Sequence, residues 1–315
     1  MSAVSRHERR WTAEIRVAPD GGTAPAGSVV VGVDRTSSSA ALAWGAREAT
    51  RRRLPLHLVQ GDDVQPAARS AGPPPSVGDT SEASSSDALV AAVNAVQSLA
   101  PGLAITAERC LRPAAEALVE ASSTAGMVVL AARGRGPLAA ALLGSVSLHV
   151  AGNARSPVVV VKDVEDPDRP RDSVVVGVDG SEDSQACLAY GFEQASSRGT
   201  SLDVVHAWSS RMTAAYRMEQ QGHLLLAEAL AGWVPSYPSV EVRRSVVHDE
   251  PVSALIRHAD GAHLLVVGSR GRGAVSSLVL GSVSQGVLQR AGGPVAVVRA
   301  RQHTVSGDAS VASPR

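Results

Sequence analysis

The sequence predicts an α/β protein of two tandem domains, each a parallel sheet with helices on both faces. Three observations carry this. Short motifs occur twice in one order: "VVVGVD" at Val29–Asp34 and Val174–Asp179, "LAWGAREA" at Leu42–Ala49 and "LAYGFEQA" at Leu188–Ala195, "GSVS" at Gly144–Ser147 and Gly281–Ser284, "SPVVVVK" from Ser156 and "GPVAVVR" from Gly293. A repeat this long is a duplicated domain rather than a solenoid unit. Within each copy, short apolar β-branched runs alternate with helical periodicity, the pattern of βαβ units around a buried parallel sheet. The length, 315 residues, suits two domains.

The second copy shows the elements in order. Val174–Val178 is a β-branched run and Ser184–Ser197 has apolar residues at helical spacing. Leu202–Trp208 is the next strand, Met212–Val234 a long amphipathic helix, and Val240–Val247 an alternating strand. Pro251–Ala259 is a helix with proline suited to its first turn. Leu264–Gly268 is a strand, Ser282–Gln289 a helix and Pro294–Arg299 the last strand. The first copy repeats this order with an insertion rich in Pro, Gly and Ser, Gly61–Ser86, which reads as a mobile flap near the first site. The charged, proline-containing stretch 163–172 reads as a linker between domains at 28–162 and 173–300. The tails, 1–27 and 301–315, read as disordered.

Composition narrows the function. Lys plus Arg and Asp plus Glu both number 30, so no global charge draws the chain to nucleic acid or to a membrane. Aromatics are 3%, too few for a platform that stacks single strands. No apolar run reaches the ~18 residues of a membrane helix, and the N-terminus lacks the apolar core of a secretory signal. The expected location is cytoplasmic. The two cysteines, Cys110 and Cys187, have no metal or disulfide spacing. His248, His258 and His263 follow no ligand rule either, so no metal site is expected.

"GSRGRGAVSSLVLGS", Gly268–Ser282, has the chemistry of an anion cradle. Gly268 ends a strand, Gly271 and Gly273 follow in a loop, and Gly281-Ser282 opens a helix. Glycines let backbone amides approach a ligand closely. A helix N-terminus adds unpaired N–H groups and a favourable dipole. The Ser282 and Ser284 hydroxyls are candidate donors to phosphate. No Lys-Ser/Thr follows Gly273, so this is not a Walker A loop, and a dinucleotide fingerprint would follow the first strand instead. Asp179 ends the first strand. If the first and fourth strands are neighbours where the winding reverses, Asp179 and Gly268 face one crevice. A carboxylate there can accept from a ribose hydroxyl or an exocyclic amine, or can cap the next helix.

The spacing Gly268-x2-Gly271-x9-Gly281-Ser282, together with "VVVGVDGS" from Val174, resembles the ATP-binding branch of the universal stress protein family, over both repeats. The resemblance implies five strands per domain in the order 3-2-1-4-5. It implies adenine near the ends of the first two strands, ribose on the Asp, and phosphates on the glycine loop and Ser-Val-Ser, with Mg or Mn held through the phosphates. In the second copy it points to Gly177, Asp179, Ala207, Val267, Gly268, Arg270, Gly271, Gly281, Ser282, Val283 and Ser284. In the first it points to Gly32, Asp34, Gly61, Leu130, Ala131, Arg133, Gly134, Gly144, Ser145, Val146 and Ser147. It also implies that the domains associate through their last strands as an internal pseudo-dimer; a homodimer of chains is left open.

Two departures fall in the first copy. Ala131 stands where the second has Gly268, and "VDRTSSS" replaces "VDGSEDS". The second site is therefore expected to be the stronger. The function expected is a stress-response regulator that binds ATP. The alternatives are a slow ATP hydrolase and a structural partner-binding protein with empty sites. No general base is evident beside the cradle except Asp179, which suits ribose better, and no catalytic residue is assigned.

Overall fold

The computed structural model describes residues 14–18, 23–34, 39–61, 80–132, 143–162, 172–209, 215–271 and 280–300. After a first strand β1 (Glu14–Ala18), the first half runs β2 (Val29–Gly32), α1 (Ser39–Arg52), β3 (Leu56–Gly61), α2 (Thr80–Leu99), β4 (Ile105–Cys110), α3 (Ala114–Ala121), β5 (Met127–Ala131), α4 (Ser145–Asn153) and β6 (Val158–Val161). The second runs β7 (Ser173–Gly177), α5 (Glu182–Arg198), β8 (Ser201–Trp208), α6 (Ala215–Leu230), β9 (Val242–His248), α7 (Pro251–His258), β10 (Leu264–Gly268), α8 (Ser282–Arg290) and β11 (Val295–Val298).

All the strands join one sheet in the order β1-β4-β3-β2-β5-β6-β11-β10-β7-β8-β9. Each half is parallel and has the order 3-2-1-4-5. The central strands are short runs of valine buried on both faces, which is why periodicity alone does not mark a face on them. The halves meet where β6 and β11 pair antiparallel, Val160 opposite Val295 and Val158 opposite Val297. Joining the last strands removes two apolar sheet edges at once.

Helices press hard on this sheet. A Cβ added at Gly45 in α1 would lie 2.6 Å from Val31 Cγ2, and one at Gly191 in α5 would lie 2.4 Å from Val176 Cγ2. These two glycines hold equivalent places in the repeated "LAWGAREA" and "LAYGFEQA", and each lets a helix seat on its first strand. α1 and α5 also meet each other. Glu48, 2% exposed, receives Arg198 Nη2 at 2.8 Å, and Arg51 pairs with the same carboxylate. Arg52 pairs with Glu193 across the junction, and Arg51 reaches Ser197. Farther along, each half caps a helix of the other. Lys162 Nζ donates to the Gln289 carbonyl of α8 at 2.9 Å, and Arg299 donates to the Gly152 carbonyl of α4. Cations suit these C-terminal turns, where carbonyls lack helical partners.

Three sequence expectations need correction. Residues 14–18, expected inside a disordered tail, form β1 parallel to β4. Gly61, expected to open a mobile insertion, ends β3. Residues 80–86, expected in the same insertion, form the first turns of α2. Residues 62–79, the linker from 163 to 171 and the tail 301–315 lie outside the described residues.

Domain 1 buries a titratable ring. His57 on β3 is 4% exposed, with Nδ1 2.8 Å from Thr106 Oγ1 and Nε2 3.7 Å from Glu108 Oε2. Burial holds its pKa below the usual histidine value and the charge of Arg16 adds to this, while Glu108 opposes both. The folded ring therefore resists a proton that the unfolded chain accepts below about pH 6.5. Stability is full above that pH and declines as the pH falls below it. Melting temperatures measured from pH 8 to pH 5 should fall on the acid side, and His57→Asn, which keeps a group to meet Thr106, should flatten that decline. An unchanged decline in the variant would show that another group is responsible.

Candidate functional site

The sheet order makes β7 and β10 neighbours while their following helices, α5 and α8, belong to opposite faces. Carboxyl ends of strands at such a reversal leave a crevice between the crossovers. Here a cavity of about 450 Å³ opens at that place, within the usual range of small-molecule sites.

Its floor is the ends of β7, β8 and β10, with Gly177, Ala207, Val267 and Gly268. Its walls are Met218 of α6, Pro251 and Leu255 of α7, and the start of α8. The cavity gathers every residue expected in domain 2: Gly177, Asp179, Ala207, Val267, Gly268, Arg270, Gly271, Gly281, Ser282, Val283 and Ser284. It adds residues that sequence reasoning missed. Among them, His206 donates its Nδ1–H to the Val178 carbonyl, 2.8 Å away, and Trp208 stacks on His248 with ring centroids 4.1 Å apart. The alternation of β8 and its place beside the first strand were the signals that could have found them.

Asp179 is fixed by its own loop. Its Oδ1 accepts from the Ser181 amide at 2.9 Å and from Ser184 Oγ at 2.7 Å. Gly180 between them has φ +79°, a conformation that favours glycine. Gly271 passes so close that an added Cβ would lie 2.5 Å from Asp179 Oδ2. The loop and the carboxylate thus share one rim of the cavity. Gly281 is the N-cap of α8, with φ −62° and ψ 150° and no side-chain cap, so the first amides of the helix face the cavity without an oxygen from the protein's own N-cap.

Two roles differ from expectation. Ser284, expected to donate to a ligand, is 4% exposed and donates its hydroxyl to the Gly268 carbonyl, tying α8 to β10. Ser147 makes the matching bond to the Ala131 carbonyl at 3.2 Å. Exposed Ser282 is the hydroxyl at the mouth of the helix. Cys187, beneath the site, is fully buried; burial pushes its thiol well up, and Asp183 and Asp179 push it further, so it stays a protonated packing residue.

Domain 1 repeats the frame with different contents. Gly32, Asp34, Leu130 and Ala131 stand at or just past the ends of β2 and β5, and Gly144 is the N-cap of α4, followed by Ser145, Val146 and Ser147. At the end of β3, a Cβ on Gly61 would lie 2.3 Å from Ala114 Cα, so α3 closes over the position that Ala207 holds in domain 2. Arg133 and Gly134 lie outside the described residues, as does Arg35, which replaces Gly180.

Among the described residues no group of three or more His, Cys, Asp and Glu could hold a metal ion, and no helix is long and apolar enough to cross a membrane.

Fold and cavity together define a duplicated, doubly wound α/β protein with a ligand crevice at the reversal point. The model of the universal stress protein family matches residues 26–162 and again 170–299, and the chain belongs to that family. It is 39% identical over 284 residues to universal stress protein Rv2005c of Mycobacterium tuberculosis, covering 86% of this chain and 96% of the relative. It is 37% identical over 287 residues to a universal stress protein of Mycolicibacterium smegmatis, covering 87% of this chain and 97% of the relative. Its fold is similar to that of a universal stress protein from Archaeoglobus fulgidus, with a TM-score of 0.64 and 18% identity over 87% of this chain and 97% of the other.

Proposed function

We propose that this chain is a stress-response regulator that binds ATP in the domain 2 crevice. The observation that carries the reading is the convergence of Asp179, Gly271 and the uncapped start of α8 on one cavity. The volume of about 450 Å³ suits a nucleotide. Asp179 Oδ2, beside Gly271, is the acceptor for a ribose hydroxyl. The α8 amides, the loop amides and Ser282 are donors for phosphate oxygens. Arg270 stands at the same rim and supplies positive charge. A divalent cation, Mg or Mn, would be carried by the phosphates themselves.

Binding is favoured over hydrolysis because Asp179, the carboxylate at the rim, already accepts two hydrogen bonds through one oxygen and faces Gly271 with the other. It is held as a fixed acceptor rather than presented to a water. Domain 1, with Arg35 in place of a positive-φ glycine and α3 closed on Gly61, is the weaker site.

Calorimetric titration of the purified chain with ATP, ADP and adenosine, with and without Mg, tests the reading, and phosphate release is followed on the same sample. One dominant ATP site per chain is expected, with adenosine weaker and no turnover beyond background. Absence of ATP binding in a folded sample would sink it.

A further inference from the structure

One carboxylate near the crevice lies outside its lining and holds its architecture together. Asp183, in the first turn of α5, is 9% exposed. Its Oδ2 accepts from Ser269 Oγ at 2.8 Å and from the Arg270 amide at 2.9 Å. Its Oδ1 accepts from the Ala300 amide at 2.8 Å. Three donors from two distant segments thus meet on one buried anion, the loop after β10 and the chain leaving β11.

Ser269 is the hub of that loop. Its amide donates to the Val298 carbonyl at 2.7 Å, and its carbonyl accepts from the Gly281 amide at 2.8 Å. Fixing Ser269 therefore fixes the N-cap of α8. Fixing the Arg270 amide fixes the entry to Gly271, which packs on Asp179. Asp183 does not line the cavity, yet it packs behind Gly268 and sets the position of both anion-facing parts of the cradle.

Gly268 fits this role. Its φ is not positive; what glycine supplies is space, since an added Cβ would lie 2.9 Å from Asp183 Cβ and 2.9 Å from the Arg270 carbonyl oxygen. An acid that merely favoured the start of α5 through the helix dipole would not need a glycine on another strand to admit it. In domain 1, Ser38 stands in sequence for Asp183, Ala131 for Gly268 and Ala132 for Ser269. The carboxylate, the space for it and the hydroxyl that meets it are replaced together.

We propose that Asp183 is the positioning residue of the domain 2 cradle, holding the loop amides and the start of α8 in register for the phosphate chain of a nucleotide. This rests on the nucleotide reading of the same crevice. Its role is distinguished from general stability by what it affects: phosphate binding, with the nucleoside part spared.

The test is calorimetry of Asp183→Asn against the unaltered chain with ATP, adenosine and tripolyphosphate. Asparagine keeps the shape but turns an N–H₂ donor toward donors. ATP and tripolyphosphate should weaken by about tenfold, the effect of losing a charge-assisted hydrogen bond, while adenosine stays within about twofold. Gly268→Ala should mimic this loss by displacing the carboxylate. Gly268→Ala combined with Asp183→Ser, the domain 1 pair, should recover melting temperature but not ATP affinity, a non-additivity expected of residues in contact. Equal weakening of ATP and adenosine, or unchanged ATP binding, would overturn the proposal. If the unaltered chain binds none of the three ligands, the nucleotide reading fails. Hydrogen exchange at the Arg270 and Ala300 amides then decides whether Asp183 holds the loop: faster exchange in Asp183→Asn supports the hold, and unchanged exchange refutes it.

Discussion

Gly281→Asp is expected to remove ATP binding at the tighter site, weakening it more than about a hundredfold, without lowering the melting temperature. The backbone there is an extended N-cap, φ −62° and ψ 150°, and an added Cβ finds its nearest neighbours at 3.4 Å, an ordinary contact. Aspartate is among the best N-cap residues. Its carboxylate would accept from the first amides of α8, the groups offered to phosphate, and would add a repelling charge in their place. The variant thus separates fold from function more cleanly than a truncation would. Gly144 has the same geometry in domain 1, φ −66° and ψ 149°, so Gly144→Asp should remove only the weaker event. Loss of the tighter event in Gly144→Asp, with Gly281→Asp unaffected, would reverse the ranking of the two sites.

Glu48→Gln is expected to produce the largest loss of stability among conservative changes. Glu48 is 2% exposed, and the Arg198 side chain that it receives is 10% exposed. Removing one member of such a pair strands the other's charge in a poorly solvated place, at a cost of about 3 kcal/mol or more. Burial already holds the Arg198 pKa down, with Glu48 opposing it. At roughly 2–4 °C per kcal/mol for a domain of this size, the melting temperature should drop by about 6 °C or more. Replacing both partners, Glu48→Leu with Arg198→Met, should recover most of that loss. A melting temperature within about a degree of the unaltered chain for Glu48→Gln would show that Arg51 and Arg52 relax to cover the change.

Most of this architecture was legible in the sequence because the strands are written as β-branched runs and the copy number is two. "VVVGVD" became β7, displaced by one residue to Ser173–Gly177, with its following turn, and "LLVVG" became β10 with both its boundaries as expected. The contacts between distant residues were not legible. Asp183 and Ser269 lie 86 positions apart, and nothing local marks them as partners. Ala131 marks a departure in the motif but not its reason: the positive-φ turn lies at Gly180, and Gly268 makes room for a side chain that domain 1 lacks. β1 was missed because "EIRVA" is short, mixed in charge and half exposed at a sheet edge. The first turns of α2 were missed because "TSEASSS" has the serine content of a loop.

The α1–α5 contact also differs in kind from a symmetric junction. An interface between identical surfaces must be complementary to itself, and this one is not. Domain 1 brings Arg52 to it and domain 2 brings Glu193. In sequence, Arg47 is the domain 1 counterpart of Glu193, so two copies of domain 1 joined in this way would set arginine against arginine. The junction is therefore heterologous in kind although its frame is nearly symmetric. A pairing of two first halves in this geometry would lack the Arg52–Glu193 ion pair that joins the two halves of this chain.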